Sequence, residues 1–313
     1  MAFISEKVIE KRGSALGNWT IGICAYNEER NIGLLLGNLL SKQNLPKDVQ
    51  IIVVCSGCVD NTPEVVRSFV EKDKRVKLVV EDIRRGKASA LNILFKYALN
   101  SDDILFLLNA DTLPQAGSIK KLVQPLNDPK VGATMGRPIP INKQCGLSNS
   151  IVHIIWDLHH KISLYRKIKL SAELCALRGS IIKEIPPNLV TDEPFMEMLI
   201  QQQGYRIVYM PNAVVYIKGP DNLADLFEQR RRIFIGHLQI QKTTGFTVST
   251  SSKKNILFSV TGKNFLETVK KLPFFILGAI IEMLAHFSAR LEFRKSKVPY
   301  AWKTIESTKQ LRA

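Results

Sequence analysis

Between Trp19 and Leu108 the chain repeats one phrase: a short apolar, β-branched run, a turn, then apolar residues at helical spacing. TIGICAY and QIIVVCS read as buried strands, and ERNIGLLLGNLLSKQ between them has apolar side chains three and four apart. Residues 61–72 suit a helix entered through Thr62 and Pro63. VKLVV, KASALNILFKYAL and DILFLL continue the rhythm as strand, helix and strand. Such alternation with short joints predicts an α/β fold, Rossmann-like, with a mainly parallel central sheet and helices on both faces. Ligands of such sheets bind beyond the carboxyl ends of the strands.

After about residue 140 the rhythm loosens. SIVHIIWDLHHKISLYRKI predicts a long helix, ELCALR a strand, DEPFMEMLIQQQGY a helix closed at Gly204, and YRIVYM a strand. From Leu223 the text is helical and basic, followed by a polar SSKK joint, the apolar segment LPFFILGAIIEMLAHFSAR and a basic tail. This divides the chain into a domain at 1–220 and a helical region at 221–313, with an amphipathic or membrane-associated helix around 265–290.

Charge narrows the partners. Forty-four Lys+Arg against 28 Asp+Glu give a formal charge of +16, which attracts nucleic acid, an anionic bilayer or phosphate-rich substrates without choosing among them. The basic residues are dispersed and no aromatic-interleaved or helix-turn-helix pattern accompanies them, so no nucleic acid is expected as a partner. The five cysteines have no zinc spacing; Cys24, Cys55 and Cys175 sit in apolar runs and read as buried free thiols of a reducing compartment. The charged opening MAFISEKVIEKRGSALG has no apolar core and is not expected to be a signal peptide.

The chemistry concentrates just after the apolar runs. LFLLNADTLP places Asn109 and Asp111 at a strand's carboxyl end, where a carboxylate suits a hard cation shared with phosphate, or equally an Asx-turn. In RRGKASALN, Gly86 gives backbone access ahead of a helix and Lys87 supplies a point charge; a solvated basic loop is the competing reading. TDEPF opens a helix, with Asp192 or Thr191 as its cap and Glu193 as a candidate general base. Gln229 and Arg232 in QRRRI share a helical face and suit a diphosphate; His159, His160 and His237 read as structural.

Taken in order, ICAYNEERNI, VVCSGCVDNT, RGKASALN, LNADTLP, TDE and QRRRI resemble the family 2 glycosyltransferases of GT-A fold over about residues 18–240. The resemblance implies that Ala25, Tyr26 and Glu28 line the nucleobase pocket. Ser56 stands where a nucleotide-binding aspartate is usual, and Lys87 lies near the nucleotide. Asp111 becomes the metal ligand, with Asn109 in place of the first aspartate of DxD. Glu193, with Asp192 beside it, takes the catalytic-base position, and Gln229 and Arg232 match QxxRW, with Ile233 replacing the tryptophan. It further implies inverting transfer from a nucleotide-diphosphate sugar, aided by Mg2+ or Mn2+, to a glycan or lipid-linked acceptor. The alternatives are a catalytically degenerate nucleotide-sugar-binding relative, which Ser56, Asn109 and Ile233 motivate, and a basic nucleic-acid-binding α/β protein, which the charge of +16 motivates.

The segment 272–289 is about one bilayer long as a helix but contains Glu282, His286 and an opening proline, with Lys270, Lys271, Arg290, Arg294, Lys295 and Lys297 flanking it. Basic flanks around an interrupted apolar centre favour lying on an anionic membrane surface over spanning it. The expected location is the cytoplasmic face of the cell membrane.

Overall fold

A computed structural model describes residues 17–164, 168–248, 265–295 and 304–311. The opening segment, the SSKK joint and Lys297 lie outside the described residues. In chain order the elements are β1 (Trp19–Ala25), α1 (Ile32–Lys42), β2 (Gln50–Ser56), α2 (Thr62–Val70), β3 (Val76–Glu81), α3 (Lys87–Phe95), β4 (Ile104–Asn109) and β5 (Thr112–Pro114). They continue with α4 (Ser118–Lys121), β6 (Val131–Pro140), α5 (Leu147–Leu164), β7 (Leu174–Arg178), α6 (Glu193–Gln202), β8 (Arg206–Ile217), α7 (Leu223–Thr244) and α8 (Phe265–Lys295).

The strands form one sheet in the order β3-β2-β1-β4-β7-β6-β8-β5. The half β3-β2-β1-β4 is parallel throughout, as the alternation predicts. The other half is mixed: β7 runs antiparallel to both β4 and β6, β8 is parallel to β6, and β5 is antiparallel to β8. The ten-residue strand β6 comes from VGATMGRPIP, whose glycines and prolines conceal a strand in sequence.

Period-two alternation sorts the strand side chains between two cores. Ile51, Val53 and Cys55 join Leu35, Leu36 and Leu39 of α1 and Val66 of α2 on one face. Ile52 and Val54 meet Leu91 and Leu94 of α3, Met196 and Ile200 of α6 and Ile240 of α7 on the other. The buried side of α1 falls at Ile32, Leu35, Leu36 and Leu39, one stripe of a 3.6-residue period. A third, smaller cluster joins α5, α7 and α8 through Ile151, Val152, Leu226 and Ile281.

The chain runs β1, β2, β3 outward on one side and then returns to place β4 on the other side of β1. Loops leaving β1 and β4 therefore diverge and leave a crevice beyond their carboxyl ends, the place where open α/β sheets bind ligands.

Candidate active site

That crevice is a cavity of about 420 Å³. Ala25, Tyr26, Glu28, Ser56, Lys87, Asn109, Asp111, Asp192, Glu193, Gln229 and Arg232 all line it. The elements explain the convergence. β1, β2 and β4 deliver Ala25, Ser56 and Asn109 at their last residues. Gly86, with φ +88°, turns the chain so that Lys87 begins α3 at the same edge. Asp192 and Glu193 open α6, and α7 lays Gln229 and Arg232 across the top.

Helix α7 approaches closely because residue 236 is glycine: a Cβ there would stand 2.2 Å from Thr191 Oγ1. Asn222 caps α7 by accepting from the Asp225 N–H at 2.9 Å, and Gly245 ends it at φ +74°.

Lys87 Nζ lies 3.2 Å from Asp192 Oδ2 and 3.3 Å from Glu193 Oε1. The ammonium thus faces the two carboxylates, within the cavity that Tyr26 and Ser56 also line. Burial works against its charge, but Asp192 and Glu193 outweigh burial and hold it well above the ordinary lysine range. The two acids are driven apart. Burial, then the charge of Glu193, pushes Asp192 up to about 6. Burial opposes ionisation of Glu193 too, yet Lys87, the residue's own backbone N–H and Lys169 keep it below its usual value. A pair so separated divides into an ionised member and one that takes up protons near neutrality.

Asp111 sits in the turn between β4 and β5, which Thr112 closes by donating to the Asn109 carbonyl at 2.8 Å. Among the described residues no side chain hydrogen-bonds or ion-pairs with its carboxylate. Its charge is nonetheless felt: burial first and Asp111 second push Glu28 and Glu173 up to about 7. Among the described residues no three His, Cys, Asp or Glu side chains converge to enclose a metal by themselves. A single free carboxylate amid excess negative charge fits a hard divalent cation that completes its shell with phosphate oxygens and water. Asn109 is held instead by protein, donating from Nδ2 to Glu173 Oε2 at 2.8 Å.

Arg232 is partly buried, and its Nε has no hydrogen-bond partner among the described residues. Burial lowers it, while Glu193, Asp192 and Asp111 pull the other way. A guanidinium so placed is ready for an incoming anion. Ser56 is buried, and its hydroxyl accepts from the Arg85 N–H at 3.4 Å. Glu28 accepts from Asn31 Nδ2 at 2.9 Å and is ion-paired with Lys309.

Several cavity residues were not foreseen. Glu173 is the first residue of ELCALR, yet nothing local marks it as a site residue: antiparallel β4 and β7 pair Leu108 with Leu174, which brings the next residues, Asn109 and Glu173, together. Lys169 lines the cavity and hydrogen-bonds His237 Nε2 at 3.4 Å. Of the histidines read as structural, His160 is satisfied by the Tyr209 hydroxyl at 2.7 Å. His159 and His237 instead line the cavity, and His159 Nδ1 is buried with no partner among the described residues. Burial, then Lys169 and Arg230, lowers these two to about 3 and about 2, so both are neutral imidazoles.

The mixed sheet, its flanking helices and the crevice at its switch point make up a GT-A architecture. The model of glycosyl transferase family 2 matches residues 20–181, and that of glycosyl transferase family group 2 matches 104–293. The chain belongs to glycosyl transferase family 2 and is a glycosyltransferase. Poly-beta-1,6-N-acetyl-D-glucosamine synthase of Staphylococcus aureus is 28% identical over 228 residues, 68% of this chain and 53% of that protein. Its namesake from Staphylococcus epidermidis is 27% identical over 219 residues, 67% of this chain and 52% of that protein. The chain therefore spans about half the length of these curated relatives. A mannosyltransferase from Pyrobaculum calidifontis, solved with GDP-mannose and Mn2+, shares the fold at a TM-score of 0.63 and 20% identity, covering 90% of this chain and 88% of that one.

Proposed function

We propose that this glycosyltransferase moves a sugar, with inversion and with the aid of Mg2+ or Mn2+, from a nucleotide-diphosphate donor to a glycan or lipid-linked acceptor at the cytoplasmic face of a membrane. The observation that carries the reading is the meeting of Asp111, Lys87, Glu193 and Arg232 in the one crevice at the sheet's switch point. The division into a catalytic domain at 1–220 and a helical region at 221–313 belongs to the same proposal.

Tyr26, Glu28 and Ser56 receive the nucleoside, and Asp111 with Asn109 stands at the diphosphate and sugar. A divalent ion on Asp111, when bound, supplies charge neutralisation to the leaving diphosphate. Arg232 donates to the same oxygens, and its contribution grows as negative charge develops there. Glu193, held ionised by Lys87, accepts the proton of the acceptor hydroxyl. The freed oxygen forms its bond to the anomeric carbon as the bond from that carbon to the diphosphate oxygen breaks. The electron pair leaves on the diphosphate. One displacement inverts the anomeric centre.

The relatives bear on the donor only through their names: one handles N-acetylglucosamine polymers, and another was solved with GDP-mannose and Mn2+. The test is release of nucleoside diphosphate from UDP-N-acetylglucosamine and GDP-mannose, with Mn2+ or with chelator, together with the anomeric configuration of the product. Metal-stimulated transfer with inversion is expected. A retained configuration, or full turnover in chelator, overturns the corresponding half of the proposal.

A further inference from the structure

Both family matches stop before the chain does, the later of them at residue 293. Yet Thr304, Ile305, Thr308 and Lys309 line the cavity. This segment is tied in at several points. Lys309 Nζ donates to the Tyr26 carbonyl at 3.0 Å and is ion-paired with Glu28. The Leu311 N–H donates to Asn31 Oδ1 at 3.0 Å, and the Ser307 hydroxyl donates to Asp225 at the start of α7. Thr308 and Leu311 are buried, and so are the partners of Leu311 and Lys309: Asn31 is 0% exposed and Glu28 6%.

Tyr26, Glu28 and Asn31 all belong to the turn that leaves β1, which is the nucleoside end of the crevice. Glu28 and Asp111 line the same cavity. Without a cation this end of the site would set the buried carboxylate of Glu28 against an incoming diphosphate. Lys309 supplies that cation and, through the Tyr26 carbonyl, fixes the backbone of the same turn. Ile305 adds an apolar surface to the wall.

We infer that residues 304–311 form one wall of the nucleoside diphosphate subsite, with Lys309 as a positioning residue that holds Glu28 and Tyr26 for the donor and Ile305 as a determinant of which base fits. The inference rests on the donor site proposed above. It assigns donor selectivity in part to residues outside the family-matched stretches, while the reacting groups come from within them.

The experiment uses the full chain and titrates UDP and GDP in Mn2+ by calorimetry, with donor KM and kcat measured alongside. Loss of one charge-assisted contact predicts about tenfold weaker binding of the preferred nucleotide by Lys309→Ala, with kcat at saturating donor little changed. Lys309→Arg should recover most of the affinity, which a purely structural defect would not require. Ile305→Ala leaves the ion pair intact and should alter the ratio of UDP to GDP affinity. The inference is overturned if folded Lys309→Ala binds both nucleotides within about twofold of the parent. Should Lys309→Ala fail to fold, Ile305→Ala decides alone, and an unchanged affinity ratio overturns the inference. If the parent chain binds neither nucleotide, the donor-site reading falls and takes this inference with it; failure of the variants alone leaves that reading standing.

Discussion

Glu193 is asked to be an ionised base in a place that disfavours ions, and the residues around it show how this is met. It is the first residue of α6, where the helix dipole favours a negative charge, and Lys87 stands 3.3 Å away. Exchanging it for glutamine keeps the volume and removes the base. Glu193→Gln should lower kcat by about 10²- to 10⁴-fold and leave donor affinity unchanged; parent-like turnover would move the base elsewhere. The sign of the pH dependence follows from Lys87. Glu193 is held below its usual range, so the deprotonated, active form persists at neutral pH and is lost only as pH falls through that depressed value. Lys87→Met removes the main influence that lowers it and leaves burial, which raises it. The acidic limb of kcat/KM should therefore move to higher pH, and an unmoved limb would uncouple Lys87 from the base. Asp111 makes the third residue-scale prediction. Asp111→Ala should cost about 10²-fold or more in metal-stimulated turnover. It should also abolish the rise in melting temperature that Mn2+ with a nucleoside diphosphate produces by mass action. An undiminished rise would place the metal on other ligands.

At the scale of elements, the site depends on how closely α7 and α6 come together. Thr191 rests against the bare Cα of Gly236, where an added methyl would stand 2.2 Å from the threonine hydroxyl oxygen. Gly236→Ala should destabilise the fold by about 1–3 kcal/mol, since neither helix can yield without disturbing a buried core. It should also lower kcat by displacing the Thr191–Glu193 turn. Chemical denaturation with parallel kinetics checks both, and an alanine variant of unchanged stability and rate would show that the close approach is dispensable. The same scale explains what could be read in advance. Asn109, Asp111, Lys87 and Glu193 were visible because each follows an apolar run or opens a helix, and local order along the chain carries that signal. Glu173 was not, because it reaches Asn109 only through the antiparallel pairing of β4 with β7, a contact 64 residues apart that no local pattern encodes. Strand β6 was hidden for a related reason: its partners β7 and β8 come later in the chain, and its glycines and prolines read as loop. Lys309 lay further still, paired with a glutamate 281 residues earlier.

At the scale of the whole molecule, α8 is turned the opposite way from a helix packed on a water-soluble protein. Two of its acidic side chains face inward, Glu282 paired with Arg230 and Glu292 with Arg231 of α7, and Ala285 and Ala289 are buried on the same side. Leu272, Ile276, Ile280, Met283, Leu284, Phe287 and Leu291 follow one another at helical spacing on the outer side, Met283 and Phe287 each 63% exposed. By length and composition Leu272–Lys295 is also long and apolar enough to cross a membrane. The inward ion pairs favour the interfacial arrangement: a spanning path would have to leave α7 or carry its charged partners into hydrocarbon, at several kcal/mol for each unpaired ion. A helix lying in the interface keeps both pairs and immerses only the apolar stripe, while Arg290, Arg294 and Lys295 stand near anionic headgroups. The active-site cavity shares Val152 and Leu226 with the cluster under α8, so an acceptor held in the same membrane would meet the site from that side. Vesicles containing phosphatidylglycerol should therefore bind the protein. Phe287→Asp should weaken partitioning by about tenfold or more, as expected for losing one buried aromatic and adding a charge, and high salt should release a large part of the bound protein. Binding that resists both salt and the Phe287→Asp exchange would mean that the helix spans the bilayer, and that Glu282 and Glu292 have found other partners.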